Sequence, residues 1–133
     1  MWKWLYVMSF IFLLAGCGDR EKIMMYPGNN DEDQQKKIEQ LIEEDAAIEE
    51  ANVLLLEKEL FVALQLKPLK KWNKQKIEKK WKKKLEQQFS NREVLVSTDF
   101  KLFWESTKLM DEKDQQKVLQ ELKELKKLAK EET

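Results

Sequence analysis

Hydrophobic positions along this chain fall into stretches with a helical period and shorter runs without one. Ile38, Leu41, Ile42 and Ile48 recur at helical spacing, with Ala46, Ala47 and Ala51 as small neighbours, and predict a helix from Asp31 to about Ala51. Asn30 suits its N-cap, and Asp31, Glu32 and Asp33 suit the positive end of its dipole. Ile77, Trp81, Leu85 and Phe89 are spaced four apart and predict a second helix from Lys74 to about Phe89, capped by Asn73 after the break at Pro68. Thr98 or Asp99 caps a third helix to about Met110, packed through Phe100, Phe103, Trp104 and Met110. A last helix restarts at Asp111 and runs to about Lys130, with Val118, Leu122, Leu125 and Ala129 as its stripe and Leu119 and Leu128 on the margins. So wide an apolar face suits a globular core better than a coiled-coil seam.

The runs without a helical period are Val53-Leu54-Leu55-Leu56 and Leu60-Phe61-Val62-Ala63-Leu64-Gln65-Leu66, joined by Glu57-Lys58-Glu59. Leu, Glu, Lys and Ala are good helix formers, so propensity points to helix. Two apolar runs about one charged cluster instead suit two buried strands and a short turn, although the Asn-Gly or Asp-Gly of a strong hairpin signal is missing. These residues alone leave both readings open. Val94-Leu95-Val96-Ser97 is short, apolar and β-branched, and reads as a buried strand.

One further apolar run, Leu5 to Leu14, ends in Leu14-Ala15-Gly16-Cys17. It is too short for a membrane-spanning helix, which needs about 20 apolar residues. Preceded by Lys3 and followed by polar sequence from Gly18, it has the layout of a secretory signal. Leu-Ala-Gly-Cys resembles the lipobox of bacterial lipoproteins. That resemblance implies cleavage between Gly16 and Cys17 and a diacylglycerol on the Cys17 thiol. The expected organisation is a signal peptide over 1–16, a lipidated N-terminus and flexible tether over 17–30, and a single domain over 31–133. Pro27, Gly28, Asn29 and Asn30 are turn formers within the tether. A tether of this length has a typical end-to-end distance of roughly 20 Å. Ile23, Met24, Met25 and Tyr26 are apolar enough either to dock on the domain or to dip into headgroups.

Composition narrows the chemistry. There is no histidine, which removes the commonest general base, metal ligand and pH switch together. Cys17 is the only cysteine, so no disulfide framework is expected. Only Gly18 and Gly28 follow the lipobox, and the folded part lacks the glycine-rich loop that cradles phosphate. Neither a metal nor a cofactor is expected beyond the covalent diacylglycerol. With 25 basic and 25 acidic residues the chain has no global attraction to nucleic acid. At 38% charged and 42% hydrophobic it is foldable.

Charge is nonetheless segregated. Nine acidic residues lie between Asp31 and Glu50, and ten lysines lie between Lys67 and Lys84 with Glu78 as the one acid among them. Lys76, Lys79, Lys80, Lys83 and Lys84 are the candidate contacts to an anionic lipid surface, where a basic residue is worth about 1 kcal/mol. The bland alternative is a solvated face neutralised by the acidic first helix. Carboxylate pairs such as Glu43 with Glu44, Glu49 with Glu50, and Asp111 with Asp114 sit on solvated helix faces and not across an apolar cleft, so they do not predict glycosidase chemistry. Asp99 is explained as a helix cap. Trp81 and Trp104 are expected in the core, and Trp72 falls off the stripe of the second helix.

The order of these elements matters as much as each one. Leu60-Phe61-Val62-Ala63-Leu64, a lysine-rich helix, Leu95-Val96-Ser97-Thr98-Asp99 and an aromatic helix together resemble the sporulation lipoproteins of the YhcN/YlaJ family. The resemblance spans about Glu44 to Met110 and favours the hairpin. It implies an α+β fold, a small sheet made of the hairpin and one further strand with helices packed on it, in the order α-β-β-α-β-α-α. The alternative is an all-α helical bundle. The first two helices would then lie side by side on one sheet face, with the C-terminal helices or a partner covering the other. The implied protein is a non-enzymatic lipoprotein on the extracytoplasmic face of the membrane in a spore-related envelope. Its partners would be the lipid bilayer and an unidentified envelope protein, with no nucleic acid. The competing reading is a structural protein that self-associates as a homodimer through an apolar sheet face or the last helix.

Overall fold

Ile48 to Leu66 form the hairpin at the centre of a four-stranded sheet, in a computed structural model that describes residues 22–26 and 32–131. The strands are β1 (Ile23–Met25), β2 (Ile48–Leu56), β3 (Glu59–Leu66) and β4 (Glu93–Ser97), in the spatial order β1-β2-β3-β4. The helices are α1 (Glu32–Glu43), α2 (Lys74–Gln88), α3 (Phe100–Leu109) and α4 (Gln115–Glu131), and a 3-10 helix, Pro68–Asn73, runs directly into α2. The fold is α+β and not an all-α bundle. It departs from the expected order by one additional strand, β1, at the sheet edge.

The hairpin resolves the ambiguous segment because each strand buries side chains on both faces. Val53, Leu55, Leu60, Val62 and Leu64 enter one core with Ile38 and Ile42 of α1 and Trp81 and Leu85 of α2. Leu54, Leu56, Phe61 and Ala63 enter the other with Leu102 and Leu109 of α3 and Val118, Leu122 and Leu125 of α4. Such runs surround a helix on every side but suit a strand covered twice. The chain's own helices supply both covers. Truncating a central residue such as Leu54 or Phe61, both fully buried, belongs to the class of core changes costing about 2–5 kcal/mol.

One expected boundary is corrected. The first helix stops at Glu43, and Ile48 to Ala51 belong to β2. The Asp45 Oδ1 accepts the Ala47 N–H at 2.9 Å, closing a turn that redirects the chain, and Ile48 then pairs with Leu66. Of the two readings open for Ile23 to Met25, docking on the domain is the one observed: they pair in parallel with Ala51 to Val53 as an edge strand. Tyr26 follows, buried in the second core, with its hydroxyl donating to the Glu112 carbonyl at 2.8 Å.

Register defines two ends of the sheet. Ile23, Ala51 and Leu64 lie in line, with Ser97 beside Ala63. Beyond that line lie Lys22, the Asp45–Ala47 turn, Lys67 with the 3-10 helix, and Thr98 to Phe100. At the opposite end lie the Glu57-Lys58 turn and Glu93, with Tyr26 leaving β1 in that direction.

Candidate functional site

The α2 stripe sets the orientation of the lysines. Trp81, Leu85 and Phe89 are buried in the first core and Ile77 packs against it. Helical spacing then directs Lys76, Lys79, Lys80 and Lys83 to the opposite side, and all four are exposed. Lys84 falls on the flank. It is half-buried, and its ammonium sits 5.0 Å from the Trp81 ring centroid, a cation–π contact that holds it against its own helix.

Two acids near this surface are turned inward. Glu78 Oε1 accepts both the backbone N–H and the hydroxyl of Thr98, which joins α2 to the end of β4. Asp45, just past α1, accepts the Trp81 indole N–H on Oδ2 at 2.9 Å and the Ala47 N–H on Oδ1. Among the described residues, none of the ten lysines from Lys67 to Lys84 forms an ion pair. The acidic and basic helices therefore share a sheet face without neutralising one another through direct pairs.

The lysine surface extends past the predicted residues. Lys76 and Lys79 line a shallow recess of about 490 Å³ together with Lys71, Trp72, Asn73, Lys74 and Gln75. Lys80, Lys83 and Lys84 are not part of that recess and continue along the helix. Leu69 and Trp72, on the 3-10 helix, are 88% and 91% exposed and are surrounded in sequence by Lys67, Lys70, Lys71 and Lys74. Trp72 falls off the α2 stripe as expected; Leu69, which also precedes α2, is not among the expected residues. The available signal was Pro68, which starts the 3-10 turn and isolates two apolar residues within a lysine run. Gly16 and Cys17, the expected cleavage and lipidation site, lie outside the described residues.

A second cluster lies inside the sheet–helix interface. Asn52, 1% exposed, shares its two Nδ2 protons among the Phe103 carbonyl at 3.1 Å, Ser106 Oγ at 3.0 Å and Thr107 Oγ1 at 2.7 Å. Both hydroxyls donate in turn to the Phe103 carbonyl. This network holds α3 on β2 and orients that helix. Leu102, Ser106 and Leu109 face inward, while Phe100 and Trp104, expected in the core, are 68% and 54% exposed. Asp99 is the α3 N-cap as expected, its Oδ1 accepting the Lys101 N–H at 2.8 Å.

Elsewhere the electrostatics are structural. Lys126 of α4 pairs with Glu59 and, at 3.4 Å, with Glu93, which ties α4 to the β3–β4 edge; burial and then the nearby Lys130 lower its pKa. Among the described residues no cluster of acids and cysteines is arranged to hold a metal ion, and no helix is long and apolar enough to cross a membrane.

Comparison with known proteins bears on the whole chain and not on one cluster. No curated protein and no solved structure matches the sequence. One family model does, over residues 18–128, which takes in both cores, the lysine surface and most of α4. The chain therefore belongs to the sporulation lipoprotein YhcN/YlaJ family.

Proposed function

We propose that this protein is a non-enzymatic envelope module, anchored by a diacylglycerol on Cys17 at the extracytoplasmic face of the membrane of a sporulating cell, whose lysine surface rests on anionic headgroups. The carrying observation is the run of unpaired lysines on the outer side of α2, with its one internal acid, Glu78, committed to Thr98. The surface potential decays over a Debye length, about 8–10 Å at moderate salt, and the anchor keeps the domain close enough for its lysines to reach that layer. Two acyl chains already retain the protein; the lysines orient it. Membership of a sporulation lipoprotein family supports the anchor and the setting.

The test is co-sedimentation of the unlipidated chain from Gly18 with vesicles, with and without phosphatidylglycerol, at low and moderate salt. Binding that requires the anionic lipid and weakens with salt is expected. A variant with Lys76, Lys79, Lys80 and Lys83 changed to Gln should lose most of it. Equal behaviour on neutral and anionic vesicles would refute the lysine seat and direct attention to a protein partner.

A further inference from the structure

We propose that the 3-10 turn Pro68–Asn73 is a wedge that inserts Leu69 and Trp72 into the interface of an anionic bilayer, so that the domain stands on the end of its sheet and does not lie along α2. This rests on the lysine-seat reading and fixes its orientation. Three observations converge on one end of the molecule.

The first is exposure. Leu69 and Trp72 are the most exposed large apolar side chains among the described residues, and the turn that carries them buries none of its side chains. Water is a poor environment for both. An interfacial bilayer region suits an indole, which has an apolar body and a polar N–H, and a neighbouring aliphatic side chain.

The second is charge. Lys67, Lys70, Lys71 and Lys74 surround the two apolar residues in sequence, and Lys76 and Lys79 complete a recess beside Trp72 with no acid in its lining. A lysine collar about an apolar tip is the arrangement in which aliphatic stems lie along the acyl boundary and ammonium groups reach back to phosphates. Complementarity to anionic headgroups, and not to an apolar protein groove, follows from this collar.

The third is where the chain enters. Only Gly18 to Glu21 separate Cys17 from Lys22, so five peptide steps place the Cys17 Cα within about 17 Å of the Lys22 Cα. Lys22 sits at the sheet end that carries the wedge. Its carbonyl accepts the Ala51 N–H at 2.8 Å and its ammonium donates to the Asp45 carbonyl, while Lys67 N–H, at the foot of the 3-10 turn, bonds the Ala47 carbonyl at 3.0 Å. The anchor is thus tethered within that reach of the end that carries the wedge. Phe100, also exposed, follows β4 at that end.

The test uses the mature lipidated protein reconstituted in phosphatidylcholine–phosphatidylglycerol vesicles, with brominated acyl chains as contact quenchers. In a Trp104→Phe background the remaining tryptophans are Trp72 and Trp81, the latter buried. Trp72 emission should shift to shorter wavelength and be lost to the brominated lipid, and a Trp72→Phe variant should remove the quenchable fraction. Both effects should fade when phosphatidylglycerol is omitted. If Trp72 emission is unmoved by brominated lipid while the unlipidated chain still pellets with anionic vesicles, the wedge is wrong and the lysine seat stands side-on. If neither responds to anionic lipid, the seat itself fails and the wedge with it.

Discussion

The Trp81 indole N–H donates to Asp45 Oδ2 at 2.9 Å, joining the lysine-rich helix α2 to the turn that follows the acidic helix α1. The pair supplies a buried donor with a charged acceptor and leaves Asp45 Oδ1 to hold the Ala47 N–H. It also fixes α2 where its buried part begins, since Trp81 is the first fully buried residue of that helix. A hydrogen bond to a charged group contributes about 1.5–3 kcal/mol. Trp81→Phe should therefore lower unfolding free energy by about that amount. Asp45→Ala should cost more, because the Ala47 N–H loses its partner too. Urea unfolding of both singles and the double variant should show a coupling of about 0.5–3 kcal/mol; additive effects would mean the bond contributes nothing of its own.

Asn52 tests the inner side of the sheet. Its Nδ2 faces three oxygens, and the Ser106 and Thr107 protons are already spent on the Phe103 carbonyl. Asn52→Ala leaves those groups bonded to one another and should cost about 1–2 kcal/mol. Asn52→Asp puts a buried carboxyl beside the Phe103 carbonyl and two hydroxyls, where only its neutral form can replace the lost Nδ2 donor. Burial holds such a group in its neutral form, so the folded state binds a proton that the unfolded chain releases above about pH 4. The variant's stability should therefore fall as pH rises from about 4 toward neutrality, at up to about 1.4 kcal/mol per unit. Parallel pH profiles for Asn52→Asp and the unsubstituted protein would contradict this account of the network.

These residues also explain what could be read in advance. The stripes of α2 and α4 stand in the sequence because a local period reports a single buried face. The strand identity of Ile48 to Ala51 does not, since those residues continue a helical spacing and become strand only through pairing with Leu64, Gln65 and Leu66, beyond the local window. β1 is three residues long and paired in parallel, so its partner strand is supplied from across a helix. In α3, Phe100, Phe103 and Trp104 and the set Leu102, Ser106 and Leu109 are both helix faces. The Asn52 network decides between them, and a buried asparagine carries no periodic signal. For the candidate site, lysine density was visible from composition. The recess with Lys71, Lys74 and Trp72 was not, because it forms where two helix types meet.

Tyr26 gives a direct pH readout. Tyr6 and Tyr26 are the only tyrosines, so the chain from Gly18 contains one. Burial, then the charges of Glu112 and Asp114, raise its pKa above the usual phenol value near 10. A folded-state pKa that is raised means stability fully present below about pH 10 and lost as pH climbs through the folded value. Ultraviolet titration should show tyrosinate appearing later in the folded protein than in urea, and the urea midpoint should drop over the same alkaline range. In Tyr26→Phe, that part of the alkaline loss should disappear.

The Glu57-Lys58 turn offers a stabilising change. Glu57 has φ 50, the one positive value at a non-glycine among the described residues. A two-residue hairpin turn demands this at its first position, where glycine is the usual occupant. Holding a side-chain-bearing residue there costs about 1–2 kcal/mol. Glycine removes that strain but adds freedom to the unfolded chain worth about 0.4–1 kcal/mol. The Glu57 carbonyl, which accepts from the Arg92 guanidinium, is retained by the substitution. Glu57→Gly should therefore gain about 0.5–1 kcal/mol, seen as a higher urea midpoint at unchanged slope. Glu57→Val, with a branched β-carbon at positive φ, should shift the midpoint the other way; a loss of stability in both would show that the glutamate side chain itself holds the turn.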